Sequence, residues 1–323
     1  MARPLRVAVQ MDAIETIQVA GDSSFALMIE AQRRGHAVSH YLATDLDWVE
    51  GRVEAVVRDV EVMRPAVPGA PHFRWTGERC RVVLADAFDV VLMRQDPPFD
   101  MAYVTATHLL ERARAEGLLV VNDPVAVRNA PEKLFVLEFA DLMPPTLVTR
   151  SLEAAQAFRA RHGEVVVKPL YGNAGAAVFH VAKGDANLAA LIEMFHHVWR
   201  EPFMVQAFLP EVAEGDKRIV LVDGEPAGAI NRLPRAGEIR SNLAAGGSAH
   251  ATSLSPREKE ICDRLGPRLR ALGLLFVGID VIGGYLTEIN VTSPTGIVAI
   301  DRFNGTNTPA RIWDAIEQRL RAR

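Results

Sequence analysis

Residues Asp280–Gly296 read DVIGGYLTEINVTSPTG. The stretch puts one carboxylate, Asp280, near the end of an apolar strand. A second carboxylate and an amide, Glu288 and Asn290, follow two residues apart on the next strand. Alternate strand residues share a face, so Glu288 and Asn290 point the same way. Three hard oxygen donors on neighbouring strands suit Mg²⁺, with Mn²⁺ as a substitute, because these ions prefer carboxylate and phosphate oxygen to nitrogen or sulfur. Register sets a condition on this site. A two-residue turn at Gly283-Gly284 puts Asp280 opposite Thr287 and on the other face from Glu288, whereas an odd-length connection puts it across from Glu288. A metal site therefore predicts the odd-length connection.

Working outward, the 323-residue chain is long enough for two or three domains. With 49% apolar and 24% charged residues it has the balance of a folded globular protein. Its net charge of −4 argues against a nucleic-acid partner, which wants a basic face. Cys80 and Cys262 are far apart and form no CxxC, so neither a zinc site nor a disulfide framework is read, and a cytoplasmic location is expected. The opening MARPLRVAVQMDA lacks the apolar core of a signal peptide, and no run approaches a membrane span, so no membrane partner is expected.

Residues 1–124 alternate strands and helices and predict a parallel α/β domain. Strands are expected at Leu5–Gln10, Ala37–Leu42, Val90–Arg94 and Leu118–Asn122, with helices after Asp22 or Ser23 and over Met101–Ala115. Residues 125–202 predict a compact α+β unit holding the strand Glu164–Pro169 and a Gly-containing turn. Residues 203–323 turn antiparallel, with strands at Phe203–Phe208, Lys217–Val222 and Pro226–Arg232 and an Asp223-Gly224 hairpin. Leu233–Ser248, LPRAGEIRSNLAAGGS, reads as a long loop of the kind that is usually functional.

Lys168 ends an apolar strand beside that Gly-containing turn, where a lysine and glycine amides can meet phosphate. A lysine snorkelling at a plain hairpin fits the same residues. Taken alone, Lys133 reads as a solvated surface lysine. Arg218 and Arg232 flank the hairpin turn and make either an anion clamp or exposed sheet charges, which spacing does not decide. Asp280 sits within FVGIDVI, where a lone carboxylate is costly to bury. His196 and His197 do not share a helix face and read as surface or packing residues.

Together these motifs resemble the ATP-grasp superfamily and, within it, the bacterial glutathione synthetases. The resemblance runs almost end to end through GDSSFALMIEAQRRGH (21–36), VLMRQDPPFD (91–100), EKLF (132–135), VKPLYG (167–172), EGDKR (214–218), SNLAAGG (241–247) and TEINVTSPTG (287–296). It implies an N-terminal α/β domain, a central lid and a C-terminal antiparallel-sheet domain. It implies ATP-dependent joining of γ-glutamylcysteine and glycine, release of ADP and phosphate, and a symmetric homotetramer. Lys133, Lys168, Gly172 and Gly175 would then hold phosphates, and Gln206, Ala207, Phe208 and Leu209 the adenine. Asp280, Glu288 and Asn290 would hold Mg²⁺, and Arg218 and Arg232 would stabilise the transferring phosphoryl group. Arg94, Asn242, Gly246 and Gly247 would meet substrate as the long loop closes. The rivals are another ligase of the same mechanism, such as a D-alanine–D-alanine or glutamate-adding ligase, and a non-catalytic ATP-binding regulator. Departures from the pattern fall at Ala174, His180 and Ser248.

Overall fold

The computed structural model describes residues 3–67, 69–172, 175–235, 237–238, 240–242 and 246–323. Four parallel strands lie side by side in the order Ala37–Tyr41, Arg6–Gln10, Val90–Met93, Leu119–Val121. Their apolar runs are continuous because both sheet faces are covered. Ser23–Arg33 packs with Val7, Val9 and Leu92, and Met101–Ala115 packs with Ala8, Val91 and Met93. Each helix has its carboxylate cap. Asp22 accepts from the Phe25 N–H at 2.6 Å and Asp100 from that of Tyr103 at 2.9 Å.

This sheet is larger than a purely parallel reading allows. Arg52–Val62 runs antiparallel to Ala37–Tyr41 and also pairs with Leu46–Val49, Phe73–Trp75 and Cys80–Val83. Val53, Ala55 and Val57 are buried on alternate positions, the period-2 signal of a strand with one wet face.

The second sheet has the order Phe179–Val181, Val165–Pro169, Phe203–Ala207, Thr146–Thr149, all antiparallel. Phe203–Ala207 therefore belongs with the lid strands rather than at the head of the C-terminal unit, where the sequence put it. Its apolar residues Phe203 and Val205 complete the small core built on Val165, Val167, Ile192 and Phe195. Ser151 caps the lid helix Leu152–His162 through the Ala154 N–H, and Gly163 follows at φ 84°.

The third sheet has the order Ser248–Ala251, Glu225–Leu233, Asp216–Val222, Phe276–Ile282, Tyr285–Asn290, all antiparallel. It shares its core with the N-terminal unit, since Ile279 and Ile289 fall in one cluster with Ala8 and Leu110. Asn122 stitches the two together by donating to the Phe276 and Val291 carbonyls at 2.7 and 2.8 Å and accepting from the Phe276 N–H at 2.9 Å. The lid core is a separate cluster. A helix that sequence reading missed, Ile297–Asn304, follows the SPTG segment.

Candidate active site

The metal condition is met by a different device from the one the sequence suggested. The Gly283-Gly284 connection is two residues long, because Ile282 pairs with Tyr285 and Val281 with Leu286. A β-bulge then takes up Thr287, and beyond it Asp280 pairs with Glu288 and Gly278 with Asn290. The extra residue does the work expected of an odd-length loop. The Thr287 hydroxyl, on a buried residue, donates to the Asp280 carbonyl at 3.1 Å.

Cross-strand pairing then writes a polar row across the sheet. Arg218 lies opposite Asp280 and Asp280 opposite Glu288, while Asp216 lies opposite Arg232. Arg218 grips both carboxylate oxygens of Asp280, Nε to Oδ1 at 2.6 Å and Nη2 to Oδ2 at 3.0 Å. Arg232 Nη2 bridges Asp280 Oδ1 at 2.9 Å and Asp216 Oδ2 at 2.5 Å. Both arginines are buried, which removes the exposed-sheet alternative. Burial opposes charge on Asp280, yet Arg218 and Arg232 outweigh it and hold the carboxylate ionised well below the usual range.

Two lysines reach the same row from other elements. Lys133 sits on the short helix Glu132–Phe135, and Lys168 near the end of Val165–Pro169. Their Nζ atoms lie 3.4 and 3.8 Å from Glu288 Oε1. Lys133 is buried and donates to the Gly172 carbonyl at 2.7 Å, so it is no surface lysine. The two cations differ in balance. Burial pushes Lys168 down. Burial acts on Lys133 as well, but Glu288 and Glu132 overcome it and keep that ammonium charged. Lys168 is thus the under-compensated cation, the one that gains most from an arriving anion.

These groups line a cavity of about 380 Å³ between the lid and the C-terminal sheet. Gly172, Gly175 and Gln206–Leu209 close it on the lid side. Gly175 has φ +73°, and a Cβ there would stand 2.8 Å from Asn242 Oδ1, so glycine is required. The Ala207 and Phe208 N–H groups are already donated to the Pro145 and Glu164 carbonyls at 2.9 Å each. This segment can therefore offer a base its carbonyls and the Leu209 amide, and not those two N–H groups.

Of the four residues tied by resemblance to substrate, only Asn242 lines the cavity. Arg94 is buried at the domain junction, with Nε donating to Ser24 Oγ and Nη2 to the Pro294 carbonyl, both at 2.9 Å. Gly246 and Gly247 make the return of the long loop. Gly246 has φ +90°, and a Cβ on Gly247 would stand 2.1 Å from the Ser241 carbonyl oxygen. Ala174 lies outside the described residues, as do residues 236, 239 and 243–245 of the long loop. His180 faces Glu164, 2.6 Å from Oε2, and its ring stacks on Phe208 at 4.1 Å. The Ser248 hydroxyl lies 2.8 Å from His250 Nε2. His196 is exposed as expected.

Sequence reasoning passed over Glu132 and Asp216. Glu132 is half-buried beside Lys133, and its burial together with the nearby Glu288 charge pushes its carboxyl up. Asp216 precedes Arg218 by two and so shares its face, a strand signal that was available in EGDKR.

Asp280, Glu288 and Asn290 fit a hard cation that also takes phosphate oxygens, since Mg²⁺ generally uses one or two carboxylates and completes its shell elsewhere. Asn290 directs Nδ2 toward Asp280 Oδ2 at 3.4 Å, leaving its Oδ1 as the atom to offer a cation. Among the described residues no group of three or more His, Cys, Asp and Glu gathers as a self-contained metal site.

Comparison with known proteins finds matches over nearly the whole chain. The model of the prokaryotic glutathione synthetase N-terminal domain matches residues 5–128, and that of its ATP-grasp domain matches residues 132–305. A glutathione synthetase of Rhodopseudomonas palustris is 57% identical over 313 residues, covering 97% of this chain and 98% of that one. Among solved structures, a D-cycloserine synthetase superposes with a TM-score of 0.68 at 15% identity, covering 97% of this chain and 99% of its own. A RimK domain ATP-grasp protein from Sphaerobacter thermophilus gives 0.62 at 20% identity, covering 96% and 98%. At that identity the two structures share the fold alone.

Proposed function

The chain belongs to the prokaryotic glutathione synthetase family, and from that premise we propose how its own residues carry out the ATP-dependent joining of γ-glutamylcysteine to glycine. A carboxylate resists attack by an amine because attack adds negative charge to an anion. Phosphorylation gives it a leaving group and an electrophilic carbon. The protein must therefore gather cations where phosphoryl charge develops and keep water from the acyl phosphate.

Lys133 and Lys168 supply the cations for the nucleotide phosphates, and Arg218 and Arg232 those for the transferring phosphoryl group. The arginines are preorganised by Asp280 and Asp216, so their guanidiniums need not reorganise during reaction. The Gln206–Leu209 edge would receive the adenine, and Gly172 and Gly175 would let the lid backbone approach the phosphates. Asp280, Glu288 and Asn290 would hold Mg²⁺, which when bound neutralises phosphate charge. Asn242 would meet substrate at the cavity mouth. Arg94, Gly246 and Gly247 would act by bracing the walls around it. The glycine amine attacks the acyl carbon and phosphate departs.

The observation that carries this reading is the meeting of Lys133, Lys168 and the Arg218–Asp280–Glu288 row, from five separate elements, in one cavity. ADP release measured over a panel of dipeptides and amines, with product mass determined, tests it. γ-Glutamylcysteine with glycine should give the largest release and a product of glutathione mass. A larger release from another pair would reassign the substrates.

A homotetramer in the cytoplasm is part of the same proposal. The free thiols of Cys80 and Cys262 suit a reducing compartment. Among the described residues no helix is long and apolar enough to cross a membrane. Light scattering giving a mass other than four chains would remove the tetramer.

A further inference from the structure

Arg6–Gln10 and Val90–Met93 are parallel neighbours whose chains part beyond their carboxyl ends. The first leads to the helix Ser23–Arg33 and the second to Met101–Ala115, which cover opposite faces of the sheet. That divergence opens a crevice at the strand ends, the place where such sheets take ligands. Asp12 and Asp96 follow the two strands there, both exposed, and Asp22 caps the first helix. The three carboxylates act on one another. Burial first, then the Asp96 charge, raises the Asp12 carboxyl, and burial with the same charge raises Asp22 against the Phe25 N–H and Arg94.

Among the described residues no ion pair reaches Asp12, Asp22 or Asp96. Arg94 is buried nearby but turns Nε to Ser24 Oγ and Nη2 to the Pro294 carbonyl. The Tyr103 hydroxyl faces the same cluster, since the charges of Arg94, Asp96 and Asp12 act on it. Tyr103 is fully buried, and its hydroxyl has no hydrogen-bond partner among the described residues. An unpaired buried hydroxyl is costly, and phenylalanine would fill the same space without that cost. Carboxylates without a cation, beside a hydroxyl without a partner, suit a cationic group that carries several hydrogen-bond donors. Asp96 and Pro97 also line the cavity that holds Lys133, Lys168 and Glu288, so the crevice opens into the place of phosphoryl transfer.

We infer that Asp12 and Asp96 bind the α-ammonium group of the γ-glutamyl residue, with the Tyr103 hydroxyl completing its shell, and so select a dipeptide with a free amine. The inference rests on the reaction proposed above and assigns the far end of its first substrate. That ammonium lies at the opposite end of the dipeptide from the carboxylate that is phosphorylated. Holding it beside Asp96 directs the rest of the molecule along the cavity toward the lysines. An ammonium has three donors, one for each carboxylate and one for the hydroxyl oxygen. The two carboxylate bonds are charge-assisted and therefore among the stronger hydrogen bonds. All three residues act away from the reacting atoms, so they govern which dipeptide binds.

The test compares γ-glutamylcysteine with its des-amino analogue, N-glutarylcysteine, at saturating ATP and glycine. Losing a hydrogen bond to a charged group changes affinity by about tenfold or more, so wild type should show a KM for the analogue higher by at least that factor. Asp12→Asn and Asp96→Asn should each raise the KM for γ-glutamylcysteine by about tenfold or more and keep the KM for ATP within about twofold. Neither should much change the KM for the analogue, which has no ammonium to lose. Tyr103→Phe should act in the same selective direction. Equal losses with both dipeptides would make the aspartates structural and overturn the assignment. A wild type that treats the two dipeptides alike would also overturn it, and that comparison stands even where a variant fails to fold. A wild type that releases no ADP with γ-glutamylcysteine and glycine would instead refute the reading of the site itself.

Discussion

Asp280 faces Glu288 across two antiparallel strands because the bulge at Thr287 absorbs one residue between the Gly283-Gly284 turn and the site. Without it, a two-residue turn would oppose Asp280 to Thr287 and turn Glu288 to the far side of the sheet.

One glycine inserted between Thr287 and Glu288 should therefore put the inserted residue opposite Asp280 and turn Glu288 and Asn290 to the far face. We expect turnover to drop by about 10²-fold or more, the scale for losing an electrostatic stabiliser. Thr287→Val keeps the residue count and loses only the 3.1 Å bond to the Asp280 carbonyl, so it should stay within about tenfold of wild type. Comparable losses in the two variants would mean that register is not what matters.

Lys168→Ala and Glu288→Ala each remove one partner of the 3.8 Å contact at the cavity floor. Each should lower the rate of ADP release by about 10²-fold or more. Near-normal rates in both would leave the phosphate and metal assignments without support.

The hairpin that carries Arg218 and Arg232 depends on Gly224. It sits at φ +76°, and a Cβ there would stand 2.6 Å from the Gly266 carbonyl oxygen on the helix Pro256–Ala271. Positive φ alone costs alanine about 1 kcal/mol, and the backbone contact adds to it. Gly224→Ala should lower unfolding stability by about 2 kcal/mol or more, read from the denaturant midpoint at unchanged slope. An unshifted midpoint would show that the turn relaxes freely.

Glu30 supplies a pH signature. Hydrogen bonding from Arg33, then from Arg34, overcomes burial and lowers its carboxyl from 4.5 to about 2. A depressed folded pKa means stability that is present above about pH 4.5 and lost as pH falls toward 2. Arg33 is largely solvated, so we discount the full shift to about 1–2 kcal/mol. Arg34 also reaches Glu317 at 2.9 Å, tying the first helix to the last. Glu30→Gln should be less stable than wild type by that amount at pH 7, and urea midpoints taken at falling pH should converge. A gap that keeps its full size below pH 2 would point to packing instead.

Much of the site was legible in the chain. Glu288 and Asn290 had to share a face because strand periodicity is two, and the Asp223-Gly224 turn had to be a hairpin because Asp-Gly accepts the positive φ that both residues adopt, 49° and 76°. The lid strand Phe203–Ala207 was misplaced because its own residues say only that it is buried, not which neighbour buries it. Asp216 and Glu132 went unread for a related reason. A carboxylate acquires meaning from the charge beside it, and Arg232 and Glu288 come from distant parts of the chain.

The sequence by itself determined the family, the order of the elements and the residue types of the site, because each follows from local periodicity, caps, turns and motif chemistry. Only the tertiary structure decided that Lys133 is buried, that Asp280 and Glu288 share a face, and that Ser241 reaches Asp216. A bulge changes register by one residue without altering the turn that precedes it. A lysine's burial depends on what packs over it, and a loop contact depends on where a separate sheet has put its partner.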